Sequence, residues 1–168
     1  MRRLACYDSL TGLQNRTSMF ESLDATLGRC RRTGSALAVL FLDIDLYKPI
    51  NDLLGHAKGD LVLAEFARRF STTVRPTDTV ARLGGDEFVI VLEAVNDVAA
   101  EDAIAQKILA AVGLPWLLNG EKLLIMTSIG LVVDVRRRHS SADLLKAADD
   151  CLYEAKKLER NRCCARTL

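Results

Sequence analysis

The stretch VARLGGDEFVIVL, from Val80 to Leu92, decides how this chain of 168 residues folds. Apolar residues flank a central GGDE on both sides, which is typical of two β-strands joined by a tight turn. Gly84 and Gly85 can both adopt positive φ angles, as a two-residue turn demands. The stretch therefore predicts a β-hairpin that presents Asp86 and Glu87 at the exit of its turn. It also raises a question, because the turn needs the glycines but not two adjacent carboxylates.

The segments on either side of the hairpin predict helices and strands that interleave along the chain. They are, in order, a helix over residues 16–34, a strand over 36–43, a helical pattern over 49–70, the hairpin strands within 79–92, a helix over 97–113, a strand over 121–134 and a helix over 140–160. Gly55 and Gly59 interrupt the helical pattern before the hairpin, which predicts two helices or a sharp bend there. A tight hairpin in this order favours an α/β (α+β) fold, with a mixed central sheet of about five strands flanked by helices, over a doubly wound parallel sheet.

Composition and charge predict a single globular domain over residues 1–168 and exclude some function classes. Hydrophobic residues make up 49% of the chain, charged residues 27%, and the net charge is +1. This balance gives no global field that would recruit nucleic acid or an anionic membrane. No apolar run approaches the ~20 residues of a membrane span. The five cysteines form no CxxC pair, so we expect reduced thiols and a cytoplasmic protein.

The carboxylates of the hairpin have a possible companion at the end of the predicted central strand. Asp43 ends the apolar run ALAVLFLD, where an isolated carboxylate is costly unless it is paired, bound to metal or facing water. Alternation puts Ile44 on the other face, so that its carbonyl lies beside the Asp43 side chain. If the hairpin lies next to this strand, Asp43, Asp86 and Glu87 gather at one sheet end, and Mg²⁺ would relieve their repulsion. The alternative is a polar hairpin tip beside an unrelated strand-end aspartate, and the spacing alone leaves both interpretations open.

Five segments, in order and with characteristic spacing, make the chain resemble the GGDEF family, the diguanylate cyclases. They are YDSLTGLQNR at residues 7–16, FLDIDLYKPINDLLGHAKGD at 41–60, RPTDTVARLGGDEF at 75–88, SIG at 128–130 and ADDCLYEAKKLERN at 148–161. The resemblance covers nearly the whole chain and implies a fold similar to nucleotidyl cyclases and polymerase palm domains. It also implies an enzyme that condenses two GTP into cyclic di-GMP and two pyrophosphates, when two domains that each hold one GTP meet face to face.

The resemblance implies roles for individual residues around the carboxylates. Asp43, the Ile44 carbonyl and Asp86 would hold Mg²⁺ (or Mn²⁺), and Glu87 would support that site. Asp86 would also accept the proton of the attacking 3′-hydroxyl. Lys48 would steady the phosphates and the charge of the transition state, which agrees with how ammonium groups and metals stabilise developing charge.

The resemblance also implies a guanine site and a phosphate site. Asn51 and Asp60 would bind guanine, with His56 nearby, while Lys156 and Arg160 would reach the terminal phosphates. A carboxylate suits the N1–H and 2-amino donors of guanine, and adenine would leave it unpaired, so we expect specificity for GTP.

The guanine site requires a bend in the chain. Asn51 and Asp60 are nine residues apart, which would put them on opposite sides of a straight helix. They can reach one base only if the chain bends between them, and Gly55 and Gly59 supply the bend.

Arg75 and Asp78 correspond to the family's inhibitory RxxD site, where cyclic di-GMP binds and stops the enzyme. Arginine offers a planar fork to phosphate or guanine, and aspartate can accept from guanine N1–H. The alternative is a local salt bridge within the loop.

Three residues depart from the family pattern. Tyr47 stands where phenylalanine is usual, and Pro49 follows Lys48 at a helix start, where proline is tolerated. Glu159 replaces the usual glycine before Arg160, which puts a negative charge beside a predicted phosphate ligand.

Three function classes compete. The intact Asp43, Asp86, Glu87 and Asn51 favour an active cyclase that uses GTP, acts as a homodimer and is inhibited by cyclic di-GMP, with no nucleic-acid or membrane contact. The alternative is a catalytically weak GGDEF module that binds GTP or cyclic di-GMP as a regulatory domain, whereas a bare interaction scaffold explains neither carboxylate pair. Because the motifs begin almost at the first residue, we expect a domain excised from a longer protein with an upstream sensor or dimerisation domain, monomeric and slow by itself.

Overall fold

The computed structural model describes residues 5–95 and 98–168, which form a central sheet with helices on both faces. In chain order the elements are α1 (Arg16–Thr33), β1 (Ala36–Ile44), α2 (Tyr47–Leu54), α3 (His56–Ser71), β2 (Thr79–Gly84), β3 (Glu87–Val95), α4 (Val98–Val112), β4 (Trp116–Leu118), β5 (Glu121–Leu123), β6 (Thr127–Asp134), α5 (Ser141–Lys157) and β7 (Cys163–Thr167). The main sheet has five strands in the order β2-β3-β1-β6-β7, and only β6 and β7 pair in parallel. The predicted mixed sheet of about five strands is therefore confirmed.

The central strand β1 separates two hydrophobic cores, since its side chains alternate between the two faces of the sheet. Ala38, Leu40, Leu42 and Ile44 pack with residues of α3 and α4 on one face. Leu37, Val39 and Phe41 pack with residues of α1 and α5 on the other face. Asp43 continues the second series, so its side chain lies at the end of the core that α1 and α5 cover.

The turns and caps around the central elements are mostly those that the sequence predicts. Gly34 ends α1 with φ 74° and donates its N–H to the Cys30 carbonyl. Gly55, with φ 85°, separates α2 from α3 and confirms the helix break. Gly59 does not bend the chain as expected, because it lies inside α3. Among the described residues no helix combines the length and the apolar character needed to cross a bilayer.

The hairpin turn is shifted by one residue from the prediction. Gly84 pairs with Glu87 across the strands, so the two-residue turn is made of Gly85 and Asp86. Gly84 and Gly85 both have positive φ angles, 149° and 50°, as expected. Asp86 therefore lies within the turn itself, and Glu87 is the first residue of β3.

Two elements were wrong or missing in the prediction. The single long strand over residues 121–134 is in fact two strands, β5 and β6, and β5 pairs with β4 in a separate hairpin. Asn119 and Gly120 form the turn of that hairpin with φ 51° and 84°, and an Asn-Gly pair is the strongest short hairpin signal. Residues 163–167, for which the sequence predicted no element, form β7. The predicted helix start at residue 97 lies outside the described residues.

Candidate active site

The end of β1 lies beside the hairpin turn and beside the start of β6. In the sheet register, Asp43 of β1 is opposite Glu87 of β3 on one side and Ser128 of β6 on the other. A cleft of about 420 Å³ opens at this end of the sheet. The predicted site residues that line it are Asp43, Ile44, Lys48, Asp86, Glu87, Lys156 and Arg160. The fold thus gathers in one cleft the residues expected at the metal, the phosphates and the reacting hydroxyl.

Asp43 is the most constrained charged group of the cleft. It is 7% exposed, and its Oδ2 accepts a hydrogen bond from the ammonium of Lys156. Its Oδ1 is buried and has no partner. Burial raises the pKa of Asp43 to about 6. The hydrogen bond and the charge of Lys156 lower this pKa, whereas the nearby charge of Asp86 raises it. The carboxylate is therefore held in a place where its charge is only partly compensated.

Asp86 faces the same cleft from the hairpin turn. Burial raises its pKa, while the charge of Lys156 and the N–H of Ile44 lower it. The turn is braced from behind by Arg82, whose Nε donates to the Gly85 carbonyl at 2.9 Å. Another nitrogen of the same guanidinium, Arg82 Nη1, donates to Asp8 Oδ1 at 3.1 Å, so Arg82 connects the hairpin turn to the N-terminal segment. The position of Asp86 is thus fixed by the turn and by this brace.

The donor set of the cleft fits a hard divalent cation. Carboxylate and carbonyl oxygens are the ligands that Mg²⁺ takes, usually together with water and phosphate oxygens. The Oδ1 of Asp43 is buried without a hydrogen-bond partner, and such an ion would supply the missing partner. Within residues 5–95 and 98–168, no three His, Cys, Asp or Glu side chains form a ready-made metal site. A cation here would accordingly rely on few protein ligands and on the phosphates of a bound nucleotide.

The predicted guanine residues lie around the break between α2 and α3. Asn51 Nδ2 is 3.2 Å from His56 Nδ1, and the Oδ1 of Asn51 is buried without a partner. The Asn51 side chain lies against Gly59. Only a glycine leaves room for it there, because a Cβ at residue 59 would lie 2.0 Å from Asn51 Oδ1. Asp60 is exposed on α3. Tyr47 lines the cleft, and its hydroxyl would lie 3.0 Å from a Cβ on Gly59. Burial raises the pKa of Tyr47, and the charges of Asp60 and Asp86 raise it further.

Lys156 and Arg160 lie at the C-terminal end of α5. The Arg160 N–H donates to the Ala155 carbonyl at 3.2 Å, the bond of a Schellman motif. Residues 159, 160 and 161 have φ angles of 78°, 61° and 47°. Glu159 therefore occupies the left-handed position at which glycine is usual, and the departure from the family pattern falls on a strained backbone.

Arg75 and Asp78 lie in the turn before β2, away from the cleft. The Arg75 N–H donates to Asp78 Oδ2 at 2.9 Å, and the Arg75 guanidinium is exposed. Among the ion pairs formed by the described part of the chain, none joins the two side chains, so the local salt bridge considered from the sequence is not formed. Glu101 of α4 is 3% exposed nearby, and burial raises its pKa while Arg75 lowers it.

One buried carboxylate of the cleft was missed by the sequence analysis. Asp45 is 6% exposed and lines the cleft with Asp43. Its oxygens accept from Ser128 Oγ at 2.7 Å and from the Asn161 N–H at 2.9 Å. The alternation in FLDID, which puts both aspartates on the same side, is the signal that could have identified it.

Comparison with known proteins agrees with this geometry. The family described as diguanylate cyclase, GGDEF domain, matches residues 5–162. The chain is 38% identical over 161 residues to the cyclic di-GMP phosphodiesterase NbdA of Pseudomonas aeruginosa, covering 96% of this chain and 20% of that protein. It is 41% identical over 163 residues to the response regulator PleD of Caulobacter vibrioides, covering 94% of this chain and 35% of PleD. The chain thus spans about a fifth to a third of the length of these two relatives.

A solved structure has the same fold. The GGDEF domain of DgcB from Caulobacter crescentus, in complex with cyclic di-GMP, matches with a TM-score of 0.90 at 30% identity. The match covers 98% of this chain and 95% of that chain.

Proposed function

The chain belongs to the family of diguanylate cyclase GGDEF domains, and from this premise we propose that it is an active diguanylate cyclase. It condenses two GTP into cyclic di-GMP and two pyrophosphates, and it depends on Mg²⁺ (or Mn²⁺). The observation that carries the proposal is the unpartnered Oδ1 of buried Asp43, in a cleft that Asp86 and Lys156 share. Glu101 and Asp134 also have a buried oxygen without a partner, but Asp43 shares an open cleft with a second carboxylate and a lysine, as a site for a cation and a nucleotide requires.

The roles of the residues follow from their places in the cleft. Asp43, the Ile44 carbonyl and Asp86 would hold the cation, with Glu87 beside them, and the bound cation would stabilise negative charge on the phosphates. Asp86 accepts the proton of the 3′-hydroxyl as the bond from the 3′-oxygen to the α-phosphorus forms and pyrophosphate leaves. Its raised pKa makes it a better proton acceptor than an exposed aspartate.

Positive groups on two sides of the cleft bind the phosphates. Lys48 is exposed at the start of α2, and Lys156 and Arg160 are at the end of α5. Lys156 now pairs with Asp43, and it would exchange this contact for the terminal phosphates when nucleotide and cation enter. Each of these cations offsets charge that grows on the leaving pyrophosphate.

Guanine binds at the break between α2 and α3. The unpartnered Oδ1 of Asn51 and the carboxylate of Asp60 accept from the base, and His56 orients Asn51. Adenine lacks the matching donors and would leave Asp60 unpaired, so ATP is a poor substrate.

Catalysis needs two copies of the domain, because each contributes one GTP. Two clefts face each other, and the 3′-hydroxyl of each nucleotide attacks the α-phosphate of the other.

The exposed Arg75 and the carboxylate of Asp78 bind cyclic di-GMP and inhibit the enzyme, which is supported by the cyclic di-GMP named in the DgcB complex. We place the domain in a longer cytoplasmic protein with an upstream sensor or dimerisation domain.

A second function has some support. The relative NbdA is named for cyclic di-GMP hydrolysis, although a segment of it is 38% identical to this chain. A domain of this family that binds GTP or cyclic di-GMP and regulates a neighbour, without appreciable synthesis, is therefore the competing proposal.

Separation of the nucleotides formed from GTP and Mg²⁺ at high protein concentration distinguishes the two proposals. The wild-type domain should form cyclic di-GMP, and Asp86→Ala should form none while keeping its fold. Glu121→Ala, an exposed carboxylate on β5 outside the cleft, is the matched control and should retain activity. Absence of product from the wild type favours the regulatory module, and activity of Asp86→Ala refutes the role of that residue.

A further inference from the structure

Asp45 connects three segments that are distant in the sequence. Its own N–H donates to the Met126 carbonyl at 2.9 Å, just before β6. One carboxylate oxygen accepts from Ser128 on β6, and the other accepts from the backbone N–H of Asn161, beyond α5. Asp45 is therefore a buried clamp between the end of β1, the start of β6 and the turn that follows α5.

The clamped turn is one that this sequence does not favour by itself. Residues 159–161 are all in the left-handed region although none is a glycine. A positive φ angle is unfavourable for L-residues, least so for asparagine, so Glu159 and Arg160 in particular need support from outside the turn. The bond from the Asn161 N–H to Asp45 is such a support, and Arg160 is the middle residue of the turn.

We propose that Asp45 is a positioning residue, which fastens the turn of residues 159–161 to the end of β1 and thereby holds Arg160 at the cleft for the terminal phosphates of GTP. The inference rests on the proposed function, since Arg160 is a phosphate ligand only within it. Asp45 differs from Asp43 because both of its oxygens already accept hydrogen bonds. These two bonds hold Asp45 between β6 and the turn, as a clamp requires, whereas the Oδ1 of Asp43 has no partner.

Two substitutions at Asp45 show whether its hydrogen bonds or its negative charge are responsible for its effect. Asp45→Ala removes both bonds and should raise the KM for GTP about tenfold, the loss of one charged hydrogen bond, with a smaller effect on kcat. Asp45→Asn should remain close to the wild type, because the amide oxygen can accept from the Asn161 N–H while the amide nitrogen donates to the Ser128 hydroxyl. If the asparagine variant is as impaired as the alanine variant, the charge matters and the clamp is refuted.

A double-mutant cycle tests whether Asp45 acts through Arg160. In an Arg160→Ala background, Asp45→Ala should raise the KM no further, because the group that it positions is already absent. Glu159→Gly should partly rescue Asp45→Ala, because glycine adopts the left-handed conformation without support. Additive effects of the two alanine substitutions, or a lack of rescue, would indicate a structural role only.

Two measurements keep the inference testable without turnover. Amide hydrogen exchange of the wild type should show protection at Asn161, although that residue is exposed, and fast exchange there refutes the clamp even if Asp45→Ala fails to fold. Calorimetric titration with GTP gives the Kd ratio of the variants. A wild type that binds GTP without forming product refutes the proposed function alone, an unchanged Kd in Asp45→Ala refutes this inference alone, and a wild type that does not bind GTP refutes both.

Discussion

Replacement of Asp43 by asparagine should stabilise the domain while it removes the activity. In the absence of a cation, the Asp43 carboxylate is buried, has one unpartnered oxygen and is paired only with a partly exposed lysine. Asparagine has nearly the same shape and no charge. The substitution therefore tests whether the buried charge of Asp43, which the binding site requires, lowers the stability of the fold.

The size of the gain follows from the pKa of Asp43, which burial raises from 3.8 to about 6. This difference of about two units corresponds to about 3 kcal/mol. A raised carboxyl pKa means that the fold favours the protonated form, so the cost of the charge is absent below about pH 4 and complete above about pH 6. Asp43→Asn should therefore gain up to about 3 kcal/mol at pH 8 and almost nothing at pH 4.

Urea unfolding in EDTA at both pH values measures this difference. Asp134→Asn is the control, because that carboxylate is also buried with one unpartnered oxygen, but its Oδ1 carries hydrogen bonds with both the Arg137 N–H and the His139 ring. Loss of the charge weakens these two bonds, so this replacement should destabilise the domain. Added Mn²⁺ should stabilise the wild type and not Asp43→Asn. A loss of more than about 1 kcal/mol in Asp43→Asn at pH 8 would mean that the ion pair with Lys156 is net stabilising, and would refute the reasoning.

Three further predictions concern the same site. Glu159→Gly should raise the free energy of unfolding by about 0.5–1 kcal/mol in urea titration, since the residue is at φ 78°, and an unchanged or lower value would contradict the strain. Gly59→Ala should weaken GTP binding about tenfold in calorimetry, because the new Cβ meets Asn51 Oδ1, and equal binding would remove Asn51 from the guanine site. Binding of Mn²⁺ without nucleotide should fall as the pH drops below about 6, where Asp43 becomes protonated, whereas a flat profile would exclude Asp43 as a ligand.

The sequence predicted the parts of the fold that local physics determines. The alternation of Asp43 and Ile44, the positive φ angles of Gly84 and Gly85 and the helix break at Gly55 are visible in single segments, and all three are present. The parts that failed depend on partners distant in the chain. The strand β7 exists because β6 offers it an edge, and nothing in residues 163–167 alone required a strand.

The candidate site shows the same division. The sequence left open whether the hairpin lies next to β1, and the sheet register places Asp43 opposite Glu87. The clamp at Asp45 was missed because its partner is the backbone N–H of residue 161, which carries no sequence signal. The role of Gly59 was misjudged for a related reason: its φ is ordinary for a helix, and the space that Asn51 occupies becomes visible only in three dimensions.

The rate of cyclic di-GMP formation from GTP and Mg²⁺, measured across a series of domain concentrations, tests the central claim most directly. If carboxylates from β1 and the hairpin turn hold a cation below one GTP, and two such domains must meet, the rate should rise faster than in proportion to the protein concentration. A rate that stays strictly proportional would contradict the requirement for two domains, and no product at any concentration would contradict the enzymatic function.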